Sequence, residues 1–209
     1  MNRVEIWSID QSKILTRNEL AAVLKDLTRR AQRSKSARMS LILIRLACCC
    51  GLRVSEIAGL RLDDVQTNLL RPVIRIRPEL AKGGRGRMVP LWWDAGTLSD
   101  LAARKAERLE QGAKPHDPFI CALSAVRPLT RQALRFRFRT ACKVLGPERT
   151  ARLTIHHGRH TFISHALAGD RTLAEVRDAA GHTNLIVTSA YLHLAVDDDG
   201  APGSLFAFD

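Results

Sequence analysis

The sequence predicts a mainly α-helical domain that carries a small three-stranded antiparallel β-sheet. Apolar residues recur at helical spacing through most of the 209 residues. Short β-branched runs, by contrast, are confined to residues 61–91 and alternate with polar turns. This length suits one large domain or two small ones, and no repeat or low-complexity tract marks a second domain. We therefore expect a lead-in over 1–15, a single domain over 16–195 and a tail over 196–209.

Capping residues and apolar spacing locate the helices. Thr16 and Glu19 form a capping box, so the first helix begins there and continues to about residue 32. The second helix is almost entirely apolar and is therefore expected to be buried. The helices after the first are expected over about 38–50, 54–60, 94–111 and 130–145, with three short ones between 150 and 195.

The three strands are expected at Val65, over residues 73–76 and over residues 88–89. Runs of β-branched residues suit the pleated surface of a sheet. The segment from Lys82 to Gly86 contains three glycines, which is typical of a hairpin tip. We therefore place Lys82 on a hairpin that joins the second strand to the third.

The charge balance points to a polyanionic partner. The chain has 33 lysines and arginines against 21 acids, which gives a net charge of +12. Nucleic acid is favoured over a membrane, because no run approaches the 18 apolar residues of a membrane span. The predicted helix 130–145 also carries a stripe of positive side chains along one face, formed by Arg131, Arg135, Arg139 and Lys143. Like charges that are neighbours on a helix lower its stability, so such a stripe favours a role in contacting phosphates.

Several common catalytic and metal-binding motifs are absent from the sequence. There is no GxxxxGK[ST] phosphate loop and no GxSxG turn, so neither ATP use nor serine hydrolysis is supported. His156 and His160 stand four positions apart, but Arg159 between them would repel a metal cation. The five cysteines form no CxxC pair and are typical of buried thiols in a reducing compartment. We expect no metal and no cofactor.

The remaining polar residues form a set suited to phosphate chemistry. Arginines bind phosphate oxygens bidentately, and histidines exchange protons near neutral pH. A lysine can protonate a leaving alkoxide, and a tyrosine can attack phosphorus; Tyr191 is the one tyrosine of the chain. Arg53 directly follows an apolar helix, where a charge is costly without an anionic partner. Glu56, three positions later, is the expected partner.

At these segments the sequence resembles the tyrosine recombinase, or phage integrase, family. Five boxes appear in the order that the family shows, across about residues 15–195. They are Gly51–Glu56 (GLRVSE), Ala81–Leu91 (AKGGRGRMVPL), His156–Phe162 (HHGRHTF), Ala180–His182 (AGH) and Tyr191, which follows Gly181 by ten positions. Any one box would be weak evidence, whereas the ordered set is specific.

The resemblance implies a reaction in which a tyrosine breaks and rejoins DNA strands without ATP. Tyr191 would attack the scissile phosphate and leave a 3′-phosphotyrosyl link and a free 5′-hydroxyl. Lys82 would protonate the departing 5′-oxygen, and His156 would act as the general base for the tyrosine. In recombinases the free 5′-hydroxyl of another strand then attacks the link.

The resemblance also assigns the residues that bind the substrate. Arg53, Arg159 and His182 would bind the nonbridging phosphate oxygens, and Glu56 would support the arginines. We interpret His160 as structural, although it lies inside a box. The side chains expected to contact DNA are Arg85 and Arg87 on the hairpin and the stripe of Arg131, Arg135, Arg139 and Lys143.

Two departures from the family pattern affect these expectations. Gly158 stands where the family has leucine, and glycine weakens a helix. The family's usual N-terminal helical DNA-binding domain is missing from this sequence, so the chain is either a minimal recombinase or a fragment. We therefore expect it to self-associate on double-stranded DNA as a dimer or tetramer, or to use an accessory DNA-binding protein. The apolar end of the tail could dock on a neighbouring protomer or cover its own core; its members are Leu205, Phe206 and Phe208.

The resulting expectation is an enzyme, a site-specific DNA recombinase, in the cytoplasm of a bacterial or phage system. One alternative is a type IB topoisomerase, which would relax supercoils by rejoining the same strand. A second alternative is a DNA-binding protein of the same fold without catalysis. The complete set of expected catalytic side chains argues against this second alternative, because a protein that only binds has no need of Tyr191.

Overall fold

Nine α-helices and three short β-strands form the described part of the protein, residues 10–122 and 127–192 of a computed structural model. The helices are α1 (Arg17–Ala31), α2 (Lys35–Ile44), α3 (Val54–Gly59), α4 (Ala95–Glu110), α5 (Arg131–Ala141), α6 (Pro147–Arg152), α7 (Ile155–Ala168), α8 (Leu173–Ala180) and α9 (Leu185–Ser189). The strands are β1 (Val65–Gln66), β2 (Val73–Ile76) and β3 (Arg87–Pro90). The predicted fold class, mainly α with one small three-stranded antiparallel sheet, is confirmed.

Most of the predicted lead-in and the whole predicted tail lie outside the described residues. The proposed anchor at Leu205, Phe206 and Phe208 therefore lies outside them as well. The described end of the lead-in forms a single 3-10 turn, Gln11–Lys13, which the side chain of Asp10 caps. Within the described ranges, no helix combines the length and apolarity that crossing a membrane requires.

Capping side chains determine where the first two helices begin. The hydroxyl of Thr16 accepts a hydrogen bond from the backbone N–H of Glu19 at 3.2 Å. The carboxylate of Glu19 accepts one from the N–H of Thr16 at 2.9 Å, which completes the predicted capping box. α2 begins three residues before the predicted position of 38, because the hydroxyl of Ser34 accepts a hydrogen bond from the N–H of Ala37.

A π-helical turn, Arg45–Cys49, continues α2, whereas the sequence predicts one unbroken helix to residue 50. The turn begins at Arg45, whose buried guanidinium contacts two carboxylates. Its Nη1 lies 3.3 Å from Oδ2 of Asp94, and its Nε lies 2.7 Å from Oδ2 of Asp100. Such wider turns are frequent beside functional sites. This one leads directly into the predicted GLRVSE box.

The sheet has the order β1-β2-β3, and both pairs of strands are antiparallel. Val65 lies opposite Ile74, which in turn lies opposite Val89. These three side chains are fully buried, so one face of the sheet packs on the helical core. The loop between β2 and β3 carries Lys82 at an exposed tip, where the next residue, Gly83, has a positive φ of 83°. The hairpin prediction is confirmed.

The five cysteines are core residues. All of them are buried and free. Burial raises the pKa of Cys49 and of Cys142 to about 12, because the interior solvates a thiolate poorly. These two thiols are therefore protonated at neutral pH, and the low thiolate content makes them poor nucleophiles.

The glycine that departs from the family pattern allows α7 to pack closely on the π-helical turn. Gly158 is buried, and a Cβ placed on it would lie 3.0 Å from the carbonyl carbon, the oxygen and the Cβ of Ala47. A leucine at this position has no room unless one of the two helices moves. The structure thus gives a packing reason for Gly158 that helix propensity alone does not supply.

We predict that Gly158→Leu destabilises the protein by about 2 kcal/mol or more, because an overpacked core strains side chains and backbone. Urea unfolding followed by circular dichroism measures this change. Ala168→Leu, at an exposed position at the end of the same helix, is the control and should change stability by less than about 0.5 kcal/mol. Equal stability of Gly158→Leu and the natural chain would contradict the close packing.

Candidate active site

Separate segments of the chain surround one strongly basic cavity. Its volume is about 540 Å³. The start of α3, the β2–β3 hairpin and the loop after α8 line it. The one acid among the described lining residues, Asp178, is already bonded to Arg177 at 2.6 Å. The basic and histidine residues that line the cavity are Arg53, Lys82, Arg85, Arg87, Arg177 and His182.

A tight turn between the π-helical turn and α3 presents Arg53. Gly51 has a φ of +64°, and a Cβ on it would overlap the ring of Phe162, so the turn requires glycine. Arg53 then adopts an extended backbone at the start of α3. Its Nη1 lies 3.0 Å from Oε1 of Glu56, and its Nη2 lies 3.4 Å from the carbonyl oxygen of Gly181. The guanidinium is thus held at the edge of the cavity.

Glu56 accepts hydrogen bonds from two arginines. Its side chain is fully buried, and its two oxygens accept hydrogen bonds from Nη1 and Nη2 of Arg87, both at 2.8 Å. It also accepts one from the backbone N–H of Arg53 at 2.7 Å. Burial disfavours the charged form, but the hydrogen bonds and charges of the arginines outweigh it and lower the pKa of Glu56. The carboxylate is therefore ionised at neutral pH.

Arg87, which the sequence predicts to contact DNA, is bound by the protein itself. Its side chain is 7% exposed, and both terminal nitrogens bind Glu56. Its Nε donates to the carbonyl oxygen of Ala179 at 2.8 Å. All three guanidinium nitrogens thus have partners within the protein, and a contact of Arg87 with DNA stays a prediction. Arg87 ties β3 to α3 and α8.

Arg159, on α7, is buried beside the other two arginines. Its Nη1 donates to the carbonyl oxygen of Gly51 at 2.9 Å, and its Nη2 donates to that of Ala180. Burial, followed by the charges of Arg53 and Arg87, lowers the pKa of Arg159 to about 9. Carbonyl oxygens accept its hydrogen bonds without neutralising its charge. A bound anion would therefore be strongly favoured here.

The end of α8 orients His182. Gly181 ends the helix with a φ of 68°, and a Cβ on it would lie 2.7 Å from Cδ of Arg87. The left-handed turn places Nδ1 of His182 at 2.9 Å from Oγ1 of Thr188. Burial and then the charges of nearby arginines, that of Arg159 first, lower the pKa of His182 to about 4. The ring is therefore neutral at pH 7.

Tyr191 is buried and its hydroxyl meets His160. The hydroxyl oxygen lies 2.7 Å from Nδ1 of His160, and the two rings stack with centroids 5.8 Å apart. The ring of His182 stacks on Tyr191 with centroids 6.5 Å apart. Burial raises the pKa of Tyr191 to about 12, and it lowers that of His160 to about 4. A protonated phenol therefore faces a neutral imidazole.

His156, which the sequence predicts as the partner of Tyr191, lies at the exposed start of α7. Partial burial, followed by the charges of Arg135 and then Arg159, lowers its pKa. The structure instead brings to the tyrosine His160, which the sequence analysis interprets as structural. The two histidines lie four positions apart on one helix and so share a face. This spacing indicates from the sequence that either histidine could face the tyrosine, but it does not show which of them does.

The hairpin supplies the two most exposed bases of the cavity. Lys82 and Arg85 are both exposed and line its open side. The two glycines between them have positive φ values of 83° and 69°, which only a flexible turn residue adopts without strain. The turn thus requires glycine at these positions, and it places Lys82 on the wall of the cavity.

The predicted basic stripe lies on α5 and on the 3-10 turn Cys142–Leu145 that continues it. Leu134 and Phe138 are fully buried and attach the opposite face of α5 to the core. The charge of Arg135 contributes to the lowered pKa of His156, so the stripe adjoins the start of α7. Positive surface therefore extends from the cavity along α5. The members of the stripe are exposed: Arg131, Arg135, Arg139 and Lys143.

The arrangement is suited to holding a phosphate beside a tyrosine. Arg53 and Arg159 provide fixed positive charge, and guanidinium groups match the geometry of phosphate oxygens. His182 adds a neutral ring between this charge and Tyr191. Positive groups fixed in advance stabilise the negative charge that develops when phosphorus is attacked.

Comparison with known proteins matches most of the chain to one family and to curated relatives. The model of the phage integrase family matches residues 13–197. A tyrosine recombinase XerC of Corynebacterium efficiens is 32% identical over 158 residues, which are 76% of this chain and 47% of that protein. A tyrosine recombinase XerD of Pseudomonas aeruginosa is 31% identical over 153 residues, which are 73% of this chain and 49% of that protein. The chain spans about half the length of the curated relatives it matches.

Solved structures share the fold at lower sequence identity. The XerA recombinase has a TM-score of 0.71 at 17% identity, over 94% of this chain and 62% of that one. The XerH site-specific recombinase bound to its difH substrate has a TM-score of 0.68 at 23% identity, over 87% of this chain and 50% of that one. A lambda integrase dimer bound to a core site has a TM-score of 0.60 at 17% identity, over 85% of this chain and 58% of that one.

We predict that acid weakens the fold between about pH 6.5 and pH 4, because two site histidines stay neutral when folded. His160 and His182 have folded pKa values of about 4 against the usual 6.5, so the unfolded chain binds protons that the folded chain does not. The drop in pKa from 6.5 to about 4 corresponds to about 3 kcal/mol for each ring, and partial exposure to solvent reduces this to about 2 kcal/mol. This stability is present above pH 6.5 and is lost as the pH falls from 6.5 to 4.

Urea unfolding between pH 7.5 and pH 4 tests the effect. The stability difference between the natural chain and His160→Asn should change across this range. The control is His116→Asn, at an exposed loop position, which should show a constant difference. The same constant difference for His160→Asn would contradict the lowered pKa.

Proposed function

The chain belongs to the phage integrase family, and from this premise we propose that it is the catalytic domain of a site-specific DNA recombinase. The domain would comprise residues 16–195. The observation that carries the proposal is the position of Tyr191, whose buried hydroxyl meets His160 beside a cluster of arginines. A buried structural tyrosine also needs a hydrogen-bond partner, but it does not need a cluster of arginines beside it.

The proposed substrate is the phosphodiester backbone of double-stranded DNA. The net charge of +12 and the exposed stripe on α5 favour a polyanion, and the basic cavity accommodates one phosphate. Contacts of the stripe with backbone phosphates would position the duplex without reading its sequence. Arg85 would add a contact from the hairpin, whereas Arg87 is already bound by Glu56.

In the proposed reaction the phenolic oxygen of Tyr191 attacks the scissile phosphorus. A bond forms between that oxygen and phosphorus, and the bond from phosphorus to the 5′-oxygen breaks. The products are a 3′-phosphotyrosyl link and a strand with a 5′-oxygen, which Lys82 would protonate. Attack on the link by the 5′-hydroxyl of another strand reverses these steps and joins the exchanged strands. No net hydrolysis occurs, so the reaction needs no ATP.

Arg53, Arg159 and His182 would bind the nonbridging oxygens of that phosphate. The two arginines carry the charge, and Glu56 would act as a positioning residue for Arg53 through the contact at 3.0 Å. Charge already fixed in the site costs no reorganisation when the transition state forms. Burial and then the charges of Arg53 and Arg87 hold the pKa of Arg159 at about 9, and the bound phosphate would compensate these charges.

We propose His160, rather than His156, as the group that accepts the proton of Tyr191. The hydrogen bond of 2.7 Å between Nδ1 and the hydroxyl has the reach that a general base requires. In the free protein the pKa of Tyr191 is about 12 and that of His160 about 4, so the proton stays on the tyrosine. A negative phosphate in the site would raise the pKa of His160 and make the transfer easier.

The proposed function also implies protein partners. Self-association on DNA as a dimer or tetramer, or use of an accessory DNA-binding protein, would supply contacts beyond this domain. The curated relatives and the fold neighbours named above are recombinases and integrases, which does not favour the topoisomerase alternative. A chain of this kind would act where the DNA is, in the cytoplasm of a bacterial or phage system.

We predict that the protein forms a covalent adduct with DNA that Tyr191→Phe abolishes. The assay uses pooled duplexes with nicks at varied positions, because release of a short fragment next to the nick prevents rejoining. Low ionic strength keeps binding strong, since each phosphate contact releases counterions. Denaturing gels detect the adduct, and sequencing of the trapped DNA identifies a preferred site.

A gel-shift measurement on the same duplexes is the control, and Tyr191→Phe should bind as the natural chain does. An adduct that persists in Tyr191→Phe would remove the proposed nucleophile. Normal binding with no adduct from the natural chain would instead favour a DNA-binding protein without catalysis. Relaxation of supercoiled DNA without any site preference would favour the topoisomerase.

We predict that His160→Gln slows single-turnover cleavage by about 10²-fold or more, as expected when a general base is lost. His156→Gln is the matched variant from the same helix and should slow cleavage by less than about tenfold. The dependence of the rate on pH should change in His160→Gln, because the titrating group is removed. The reverse order of the two effects would restore His156 as the base.

A further inference from the structure

A second basic cavity lies between α2 and α4 and shares no lining residue with the first. Its volume is about 230 Å³. Among the described lining residues, four bases face a single acid. Met39, Gln111, Cys121 and Ala122 complete the wall. The charged members are Lys35, Arg38, Arg104, Arg108 and Glu107.

The acid of this cavity is fully used by two of the bases. Oε1 of Glu107 accepts a hydrogen bond from Nη1 of Arg38 at 2.7 Å, and its Oε2 accepts one from Nη1 of Arg104 at 2.9 Å. In the described ranges, no carboxylate forms an ion pair with Lys35 or with Arg108. The cavity therefore carries an excess of positive charge that the surrounding residues do not balance.

Arg108 is the clearest case of an uncompensated charge in this cavity. The residue is 5% exposed, and neither Nε nor Nη2 has a hydrogen-bond partner among the described residues. A buried charge without a partner is strongly destabilising unless an anion compensates it. Arg87 is buried to a similar extent, but Glu56 and a carbonyl oxygen engage all three of its nitrogens. Arg108 has no such arrangement.

We propose that this cavity binds a small free oxyanion, such as inorganic phosphate. Its volume lies below the range of about 300–1,000 Å³ typical of sites for larger organic ligands, so a single oxyanion with a few waters suits it. Lys35 lies in the first turn of α2, whose N-terminus favours negative charge. A small rotation of Arg108 would bring its free nitrogens to the oxygens of the ion.

Thermal unfolding in phosphate-free buffer tests the proposal, with sodium phosphate titrated against sodium chloride at equal ionic strength. Phosphate at ten times its dissociation constant should raise the Tm by about 3–6 °C more than chloride does. Arg108→Met should remove the part of this shift that does not come from phosphate binding in the first cavity. In the absence of phosphate, Arg108→Met should also raise the Tm, because it removes an uncompensated buried charge.

Further variants separate this cavity from the active site. Arg53→Gln removes a cation of the first cavity, so it should lose only the part of the phosphate shift that comes from the first cavity and keep the part that depends on Arg108. Arg152→Gln, on the exposed surface of α6, is the general control for loss of a positive charge. Lys35→Gln, at the exposed rim of the second cavity, should weaken phosphate binding several-fold. If Arg108→Met fails to fold, this variant tests whether phosphate binds in the second cavity.

Four results would overturn the proposal. The first is a rise in Tm with phosphate that is no larger than the rise with chloride, and the second is a rise that Arg53→Gln abolishes and Arg108→Met retains. The third is an unchanged affinity of Lys35→Gln for phosphate. The fourth is an Arg108→Met protein that folds but has a lower Tm than the natural chain in phosphate-free buffer. A short DNA duplex is a further arm of the titration. A shift that requires Arg108 with the duplex, but not with free phosphate, would assign the cavity to the DNA backbone and would also overturn it.

Discussion

The geometry of the active site depends on one buried carboxylate, that of Glu56. It binds Arg87 through two hydrogen bonds of 2.8 Å and Arg53 through its side chain and its backbone N–H. Through Arg87 the same contact attaches the small sheet to α3 and α8, although the three strands have only two to four residues each. Removing one partner of a buried ion pair costs about 3–5 kcal/mol, which exceeds what so small a sheet could recover by its own pairing. The carboxylate therefore acts on the fold and on the site together.

Burial and excess positive charge together explain the protonation states around Glu56. Burial first, and then the charges of neighbouring arginines that one carboxylate does not neutralise, lower the pKa of Arg159 to about 9 and that of His182 to about 4. Burial also lowers the pKa of His160 to about 4 and raises that of Tyr191 to about 12, although the charge of Arg159 acts in the opposite direction on the tyrosine. The free protein thus holds the proposed nucleophile in its protonated form. A bound phosphate would compensate the arginines and raise the pKa of His160, which makes the ring a better proton acceptor.

The sequence predicts those features that local spacing determines. The capping box at Thr16, the hairpin of Lys82 and the apolar periodicity of the helices all depend on neighbouring residues, and the structure contains them. Features that depend on distant contacts are not predictable in this way. Which of His156 and His160 meets Tyr191 depends on how the segment after α8 returns over α7. Arg87 looks like a surface base in the sequence, because its partner Glu56 lies 31 positions away.

The two buried arginines Arg87 and Arg108 show what a cation requires from its surroundings. Arg87 is enclosed by a carboxylate and a carbonyl oxygen, so its charge is part of the folded structure. Arg108 is also buried, and the acid of its cavity, Glu107, is bonded to Arg38 and Arg104 instead. Burying an unpaired charge is unfavourable, and an apolar side chain of similar size would cost less at this position. An anion that reaches the guanidinium from solution would supply the compensating charge.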